Sequence, residues 1–564
     1  MTSAFALLLT RGRSGTDGAE RARAAVAGSH SASEGRISLG WSGPEATGQV
    51  WRCLVVGRLW SRIDAAELLE SEGPAALARL RGRFALLAWQ PGGGRAVVAV
   101  DQLGAGAVYL HEDGGTLAAA TELAELLRLL PRRPGPDKTA VVRWLAGGSL
   151  ERGQTHYERV RRLEGGHVIE IDGDSWGSRR YWSLGYDSVL PVSEAEAAEK
   201  VREGVASAVR RRVRGMEAPG VLLSGGIDSA SVAAAGKLAR SLPPRPYSAV
   251  FPQHPTIDES GLISTVAEGL GLESRTFAVG AGSMVVPGIE YLRTWSVPSV
   301  SPNLFVHRPL LRAAREEGVD VLLDGQGGDE LFGCAAYLLA DRLRGGRVLS
   351  AVELARRLPG VGLAPSGQAV RRLLREFGLK GVLPLAVHRA ARRLRHASRY
   401  SAPWLTVESS RIAVESDPAW SWKGLDGPRW WAHRADEVTM QRERMGAHDF
   451  LRRKNALTGL VGGHPFLDDL DLIQLVLRLP PELSFDPELD RPLLREVRVG
   501  DDDLLHAVGV EHRGQVLDPA ERAQPVVGPR LQRDEADHVD RRVHLVDERV
   551  MDVLDVLAGP DQHR

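Results

Sequence analysis

Short apolar runs separated by polar turns fill the first 185 residues. Segments 50–56, 84–89, 96–100 and 167–171 have strand length, with either alternating or continuous apolar character. They predict an α+β domain. The stretch Pro131-Arg132-Arg133-Pro134-Gly135-Pro136 breaks this pattern ahead of a helix predicted at 138–145. From about residue 193 the period changes. A helix at 194–212 is followed by a Val/Leu strand ending at Leu223, a glycine loop and a helix. A strand at 246–251, helices at 261–270 and 310–317, and a strand at 319–324 come next. Strands alternating with helices predict a doubly wound parallel sheet with its ligand at the carboxyl ends of the strands. Residues 335–460 are expected to be mostly helical. Within them 371–399 spaces many Arg between Leu and Val, either as an exposed helix face over a core or as a docking surface for a peptide or partner protein.

Two loops inside the second region carry chemistry. The first is Val221-Leu222-Leu223-Ser224-Gly225-Gly226-Ile227-Asp228-Ser229, the second Leu322-Leu323-Asp324-Gly325-Gln326-Gly327-Gly328-Asp329-Glu330. Each follows a Val/Leu run, the mark of a buried parallel strand. A strand, a tight glycine turn and a helix start together make an anion site, where backbone N–H groups and the helix dipole face the ligand. Asp228 and Asp329 add hard carboxylate oxygens that suit a Mg²⁺ carried in with nucleotide phosphates.

Composition changes this picture little. At 564 residues, two to four domains are expected. Apolar residues at 43% and charged residues at 26% describe an ordinary soluble chain, and zero net charge argues against bulk attraction to nucleic acid or an anionic membrane. No signal peptide is evident, and no apolar stretch approaches the roughly 20 residues of a membrane helix, so a cytoplasmic location is expected. Cys53 and Cys334 are too few for a disulfide framework or structural zinc site. Beyond Glu496 the chain has no Lys, Ser, Thr, Ile, Asn, Phe, Tyr or Trp, while Val, Asp, Arg and His crowd in. Residues 497–564 are therefore expected to be an atypical tail, as GC-rich DNA read in a wrong frame would encode.

With both loops in view, residues 1–495 resemble the asparagine-synthetase superfamily. Ser224-Gly225-Gly226-Ile227-Asp228-Ser229 is similar to its pyrophosphate loop, and Asp324 to Gly333 to its second Mg–ATP loop. Arg83-Phe84-Ala85 with Asp101-Gln102-Leu103-Gly104 resembles its glutaminase-like domain, and Pro465-Phe466-Leu467-Asp468 with Leu479-Pro480 its late synthetase segment. The resemblance implies an N-terminal glutaminase-like (Ntn-type) α+β domain at 1–185. A PP-loop ATP pyrophosphatase domain at 193–496 would follow, an α/β doubly wound parallel sheet with a helical C-terminal part. It further implies ATP and Mg²⁺ as cofactors. Pyrophosphate would be held by Ser224, Gly225, Gly226, Asp228 and Ser229. Mg²⁺ would be shared by Asp228 and Asp329, Gly325 and Gly327 would let backbone approach the α-phosphate, and Leu223, Val250 and Phe251 would line the adenine pocket. Asp258-Glu259 stands where the family keeps an acidic pair, or is simply a solvated loop. His307 and His464 read as structural.

Three departures narrow the choice. Glutamine-hydrolysing members expose a cysteine directly after the initiator Met; this chain has Thr2, a much weaker nucleophile, so the amine is expected from another source. Gln326 replaces the usual Glu of the second loop, as in lasso-peptide cyclases. Trp295, Pro298, Pro302-Asn303 and Ala402-Pro403-Trp404-Leu405 also resemble that branch. The late lysine of the adenylation step is not found where expected, since the last Lys is Lys454. The implied reaction is ATP-dependent amide formation, with a precursor peptide's Asp or Glu side chain joined to its own N-terminal amine as a macrolactam. The partners implied are that precursor, a leader-peptide-binding protein and a maturation protease. Asparagine synthesis from ammonia, a small-molecule lactam synthetase, and a non-catalytic scaffold or disrupted enzyme are the alternatives. Gln326 cannot act as a base, so proton removal from the amine is unassigned.

Overall fold

Between residues 4 and 180 the apolar runs pair into two six-stranded sheets, antiparallel throughout. In chain order the strands are β1 (Ala4–Leu9), β2 (His30–Glu34), β3 (Ile37–Ser42), β4 (Ala46–Thr47), β5 (Arg52–Leu59), β6 (Gly82–Gln90), β7 (Arg95–Val100), β8 (Tyr109–Asp113), β9 (Thr116–Ala120), β10 (Val160–Arg162), β11 (His167–Asp172) and β12 (Ser175–Arg180). One sheet runs β10-β8-β9-β1-β3-β2, the other β12-β11-β7-β6-β5-β4. Successive side chains on a strand leave by opposite faces, and β1 is apolar on both. Phe5, Leu7 and Leu9 share a core with Leu54, Leu87, Val98 and Ile169 of the facing sheet. Ala6 and Leu8 pack instead with Leu123 and Leu126 of the helix Leu123–Leu129. The far face of the second sheet, through Phe84, Leu86 and Ala88, is covered by Ala66 and Leu69 of the helix Ala65–Glu72. The layering is helix, sheet, sheet, helix.

The computed structural model describes residues 3–10, 16–61, 63–239, 243–280, 282–394, 404–416, 420–441 and 446–495. Thr2, Ala402-Pro403, the end of 371–399 and the tail 497–564 lie outside the described residues.

A five-stranded sheet occupies the second region: β13 (Pro219–Leu222), β14 (Arg245–Val250), β15 (Arg275–Ala278), β16 (Val321–Leu323) and β17 (Val461–Gly463). Its order is β15-β14-β13-β16-β17, with every pair parallel. Both faces are covered. Val221, Leu323, Val209 and Ala233 belong to one core, while Tyr247, Leu322, Leu310 and Ala314 belong to another. The chain order reverses between β13 and β16, so a crevice opens beyond their carboxyl ends. Each of the two glycine loops leaves one of these strands.

Helix α1 (Glu194–Val213) starts at Ser193 with a reciprocal cap: Ser193 Oγ accepts from Glu196 N–H, and Glu196 Oε2 accepts from Ser193 N–H at 2.8 Å. Its last turn explains the late Pro-Phe-Leu-Asp segment. Buried Arg212 pairs with Asp468 and, at 2.9 Å, with Asp469, and Arg211 also bonds Asp469. Arg212 stacks 4.2 Å over the Trp60 ring, which ties this clamp to the N-terminal domain.

The helical expectation for 335–460 holds in the described part of 371–399, which forms two helical pieces. The helix Gly367–Leu373 passes through a π-turn at Leu374–Leu379 and ends after Lys380–Val382; a new helix begins at Leu385. Pro384 forces the break, because it lacks an N–H and pushes Leu383 to an extended ψ of 138°. The strand expected at 50–56 starts only at Arg52, with Val50 exposed. Among the described residues no helix is long and apolar enough to cross a membrane.

Candidate active site

The first loop turns at Gly225, whose φ is +81°. A side chain there would also meet Leu262 at 2.9 Å, so glycine is required by conformation and by packing. Ser229 closes the turn. Its Oγ accepts from Ser224 N–H at 3.1 Å and donates to Gly226 O at 3.0 Å. The only hydroxyl proton of Ser229 is thus spent, and in the 3.1 Å contact between the two hydroxyls Ser224 is the donor. Ser224 is exposed and Ser229 buried. Helix α2 (Ile227–Ala239) begins directly behind them, its amino end directed to the crevice.

The second loop is locked into the first. A Cβ on Gly325 would lie 2.6 Å from Ser229 N, and one on Gly328 only 2.3 Å from Asp228 Cγ. Gly325 therefore serves loop-on-loop contact. Gly327, at φ +96°, starts the short helix Gly328–Phe332 that carries Asp329 and Glu330. Asp228 and Asp329 are brought to one point. Arg491 Nη1 lies 2.6 Å from Asp228 Oδ2 and 2.8 Å from Asp329 Oδ1, and its Nε lies 3.3 Å from Asp490. Burial pushes the Asp228 carboxyl up to about 7 against the lowering influence of Arg491. Asp228 Oδ1 is buried without a hydrogen-bond partner among the described residues.

Beneath the second loop sits a polar cluster. Asp324 Oδ1 is 2.8 Å from His464 Nδ1 and accepts from Gln326 N–H at 3.2 Å, which shapes the turn. Burial opposes the Asp324 charge, but His464 and buried Lys454 hold its carboxyl below the usual range. Burial, with Lys454 adding to it, drives the His307 imidazole down to about 3, so it is neutral.

The remaining sequence-predicted candidates divide. Leu223 is 2% exposed and packs in the main core, so only its backbone faces the crevice. Val250 and Phe251, at the carboxyl end of β14, are half-buried. Asp258 accepts from Phe251 N–H at 2.8 Å and from Ser260 Oγ at 2.7 Å, and thus fixes that strand end. Gln326 and Asp329 are exposed. Cys53 lies within β5 at 1% exposure, and burial pushes its thiol up to about 12, which removes it as a nucleophile. Sequence reasoning misses Arg491 and the Asp324–His464–Lys454 cluster. Arg491 lies 263 positions from Asp228 and no local motif announces it.

A doubly wound sheet with two interlocked glycine loops at its switch point defines a nucleotide-site α/β domain, here joined to a two-sheet Ntn-type domain. The asparagine synthase profile matches residues 200–500, more than half of the chain, and a glutamine amidotransferase domain profile matches 65–182. The chain belongs to the asparagine synthase family. It is 28% identical over 296 residues to amidase chry2 of Gibberella zeae, covering 49% of this chain and 43% of that protein. It is 34% identical over 170 residues to the carboxyethyl-arginine beta-lactam-synthase of Streptomyces clavuligerus, 30% of each chain. To glutamine-hydrolysing asparagine synthetase 1 of Bacillus subtilis it is 26% identical, over 46% of this chain and 40% of that one. The chain spans less than half the length of the curated relatives it matches. Among solved structures, a glutamine phosphoribosylpyrophosphate amidotransferase of B. subtilis aligns over 62% of this chain and 73% of its own, at 13% identity and a TM-score of 0.20.

Proposed function

We propose that this protein is an ATP-dependent carbon–nitrogen ligase that activates a carboxylate and joins it to an amine, with macrolactam closure of a lasso-type precursor peptide as its reaction. The observation that carries the reading is the convergence of Asp228 and Asp329 on one point, from loops that leave adjacent strands at the switch point. The donor set fits Mg²⁺. Two hard carboxylates meet there, one with an orphaned buried oxygen, and Mg²⁺ takes its other ligands from phosphates and water. When bound, ATP supplies a leaving group to the carboxylate and Mg²⁺ neutralises the phosphates that depart. The chain's part is positioning. Ser224, Gly225, Gly226 and Ser229 offer the turn and helix end to pyrophosphate, Gly325 and Gly327 shape the second loop, and Val250 and Phe251 border the adenine side.

Closure onto an internal amine is supported by the beta-lactam-synthase relative, whose name describes such a ring. An inert Cys53 supports an amine from a source other than glutamine hydrolysis at that thiol. Ile257, which follows β14, and Met284, Val286 and Ile289, which follow β15, are exposed apolar side chains available to a peptide. A leader-binding protein and a maturation protease complete the proposed system. The asparagine synthetase relatives favour aspartate with ammonia as the second reading.

The test is AMP and pyrophosphate release with precursor peptide and, separately, with aspartate and ammonium. Peptide-dependent release with loss of one water from the peptide supports the cyclase, and release with aspartate alone moves the reaction to small molecules. Asp228→Asn and Asp329→Asn should each abolish release with an unchanged circular dichroism spectrum. Full release by either variant removes the metal assignment.

A further inference from the structure

One side chain at the crevice is not a ligand candidate and yet sits between both acids. Arg491 shares a single nitrogen, Nη1, between Asp228 Oδ2 and Asp329 Oδ1. This is not the forked geometry in which a guanidinium binds a carboxylate most tightly, with two parallel bonds to its two oxygens. It leaves Asp228 Oδ1 buried and unsatisfied. The backbone of Arg491 is unusual as well, with φ at +55°, a region that a long L side chain rarely enters and that costs energy unless the surroundings impose it. The strain is local: Pro492 starts a regular helical turn immediately after it. A third acid is at hand, since Asp490 Oδ2 lies 3.3 Å from Nε.

We propose that Arg491 is a displaceable cation that holds Asp228 and Asp329 together in the nucleotide-free protein and yields its place to the divalent metal that enters with nucleotide. The inference rests on the reading of these two acids as the metal site. Two carboxylates forced within reach of one nitrogen repel each other when no cation lies between them. A guanidinium relieves that repulsion with one charge and one shared nitrogen. A divalent cation relieves it with two charges and can also take the orphaned Oδ1. Metal alone must evict Arg491 with only Asp490 to receive it, whereas nucleotide brings phosphates that also accept the released guanidinium. The arginine thereby favours metal–nucleotide over metal alone. Asp490 offers the side chain a carboxylate to rest on during the exchange, and the relaxation of the backbone at Arg491 adds to the drive.

The experiment uses the full chain and Mn²⁺ as a paramagnetic probe, with binding read by electron paramagnetic resonance and no nucleotide present. Arg491→Gln is expected to bind Mn²⁺ at least ~10-fold more tightly than wild type, since a competing charge at hydrogen-bond distance has been removed. Arg491→Lys, which restores a charge, should return towards wild type, and Asp228→Asn/Arg491→Gln should lose the gain. Equal Mn²⁺ affinity in wild type and Arg491→Gln overturns the proposal. A readout free of variants guards against misfolding: in wild type, Arg491 should react faster with phenylglyoxal in saturating Mn²⁺ than in EDTA, located by peptide mass spectrometry. Unchanged reactivity there also overturns it. Mg-ADP binding by wild type separates the two levels of argument. If wild type binds Mg-ADP but Arg491→Gln leaves Mn²⁺ affinity unaltered, the arginine proposal alone fails; if wild type binds neither, the nucleotide reading fails with it.

Discussion

Replacing Asp449 with Ala should loosen the contact between the two domains. Asp449 belongs to the helix Ala447–Ala456 of the synthetase part, and its partners belong to the N-terminal domain. Arg162 of β10 bonds both of its oxygens, at 2.9 and 3.1 Å, and the Tyr109 hydroxyl of β8 donates to it as well. Arg162 and Asp449 are 7% and 8% exposed at their side chains. Beside them Arg453 bonds Glu122 at 3.0 Å and Tyr109 at 2.6 Å. With Asp449 gone, Arg162 keeps the carbonyls of Gly104 and Gly106 as acceptors, but its buried charge loses the carboxylate that balanced it. Removing one partner of such a buried pair costs about 3–5 kcal/mol, most of it for the charge left behind. Urea unfolding followed by tryptophan fluorescence reads the loss, because the Trp295 ring lies 5.7 Å from Arg453. Arg162→Met/Asp449→Leu removes both charges together and should be more stable than Asp449→Ala alone. A loss below about 1 kcal/mol, or a double variant no better than the single, would refute the reasoning. The pH dependence has a definite sign. Burial works against the Asp449 charge, but Arg162 and Arg453 overcome it and hold the carboxyl well below its ordinary range. Its stabilisation is therefore fully present above the unfolded carboxyl value of roughly 4 and is lost as pH falls through the folded one.

Two further outcomes follow from the site and the core. Gly328→Ala would set a methyl 2.3 Å from Asp228 Cγ, and the carboxylate must leave its present position. AMP formation should fall about 10²-fold, as for a misplacement near 1 Å, while circular dichroism stays unchanged; wild-type rates in that variant contradict the interlocked loops. Cys53 is buried and Cys334 partly buried, and burial pushes each thiol up to about 12, so a disulfide reagent should label both slowly in the native protein and rapidly in denaturant. Rapid labelling of one native thiol contradicts the placement of the strand or loop that holds it.

Local chemistry explains what was legible in the chain itself. A Val/Leu run, a glycine turn and a small-residue helix start identify a strand, an anion loop and a helix wherever they occur, because each depends on near neighbours only. Both glycine loops, the parallel α/β class and helix α1 were readable for that reason, as was the family. Edge strands were not. β15, Arg275–Ala278, has exposed positions, and β17 is only Val461-Gly462-Gly463, too short and too poor in side chains to carry a period. Its glycines make sense only beside their neighbours: a Cβ on Gly463 would meet Leu323 at 2.8 Å. Tertiary structure alone decided the strand order, and with it that residues 224 and 324 open onto one crevice. It also decided that Arg491 reaches Asp228 across 263 positions, and that Asp324, His464 and Lys454 form one buried cluster. Charge pairing at such separations leaves no periodic or local trace, since any acid and any base in the chain satisfy the same rule until folding selects which of them meet.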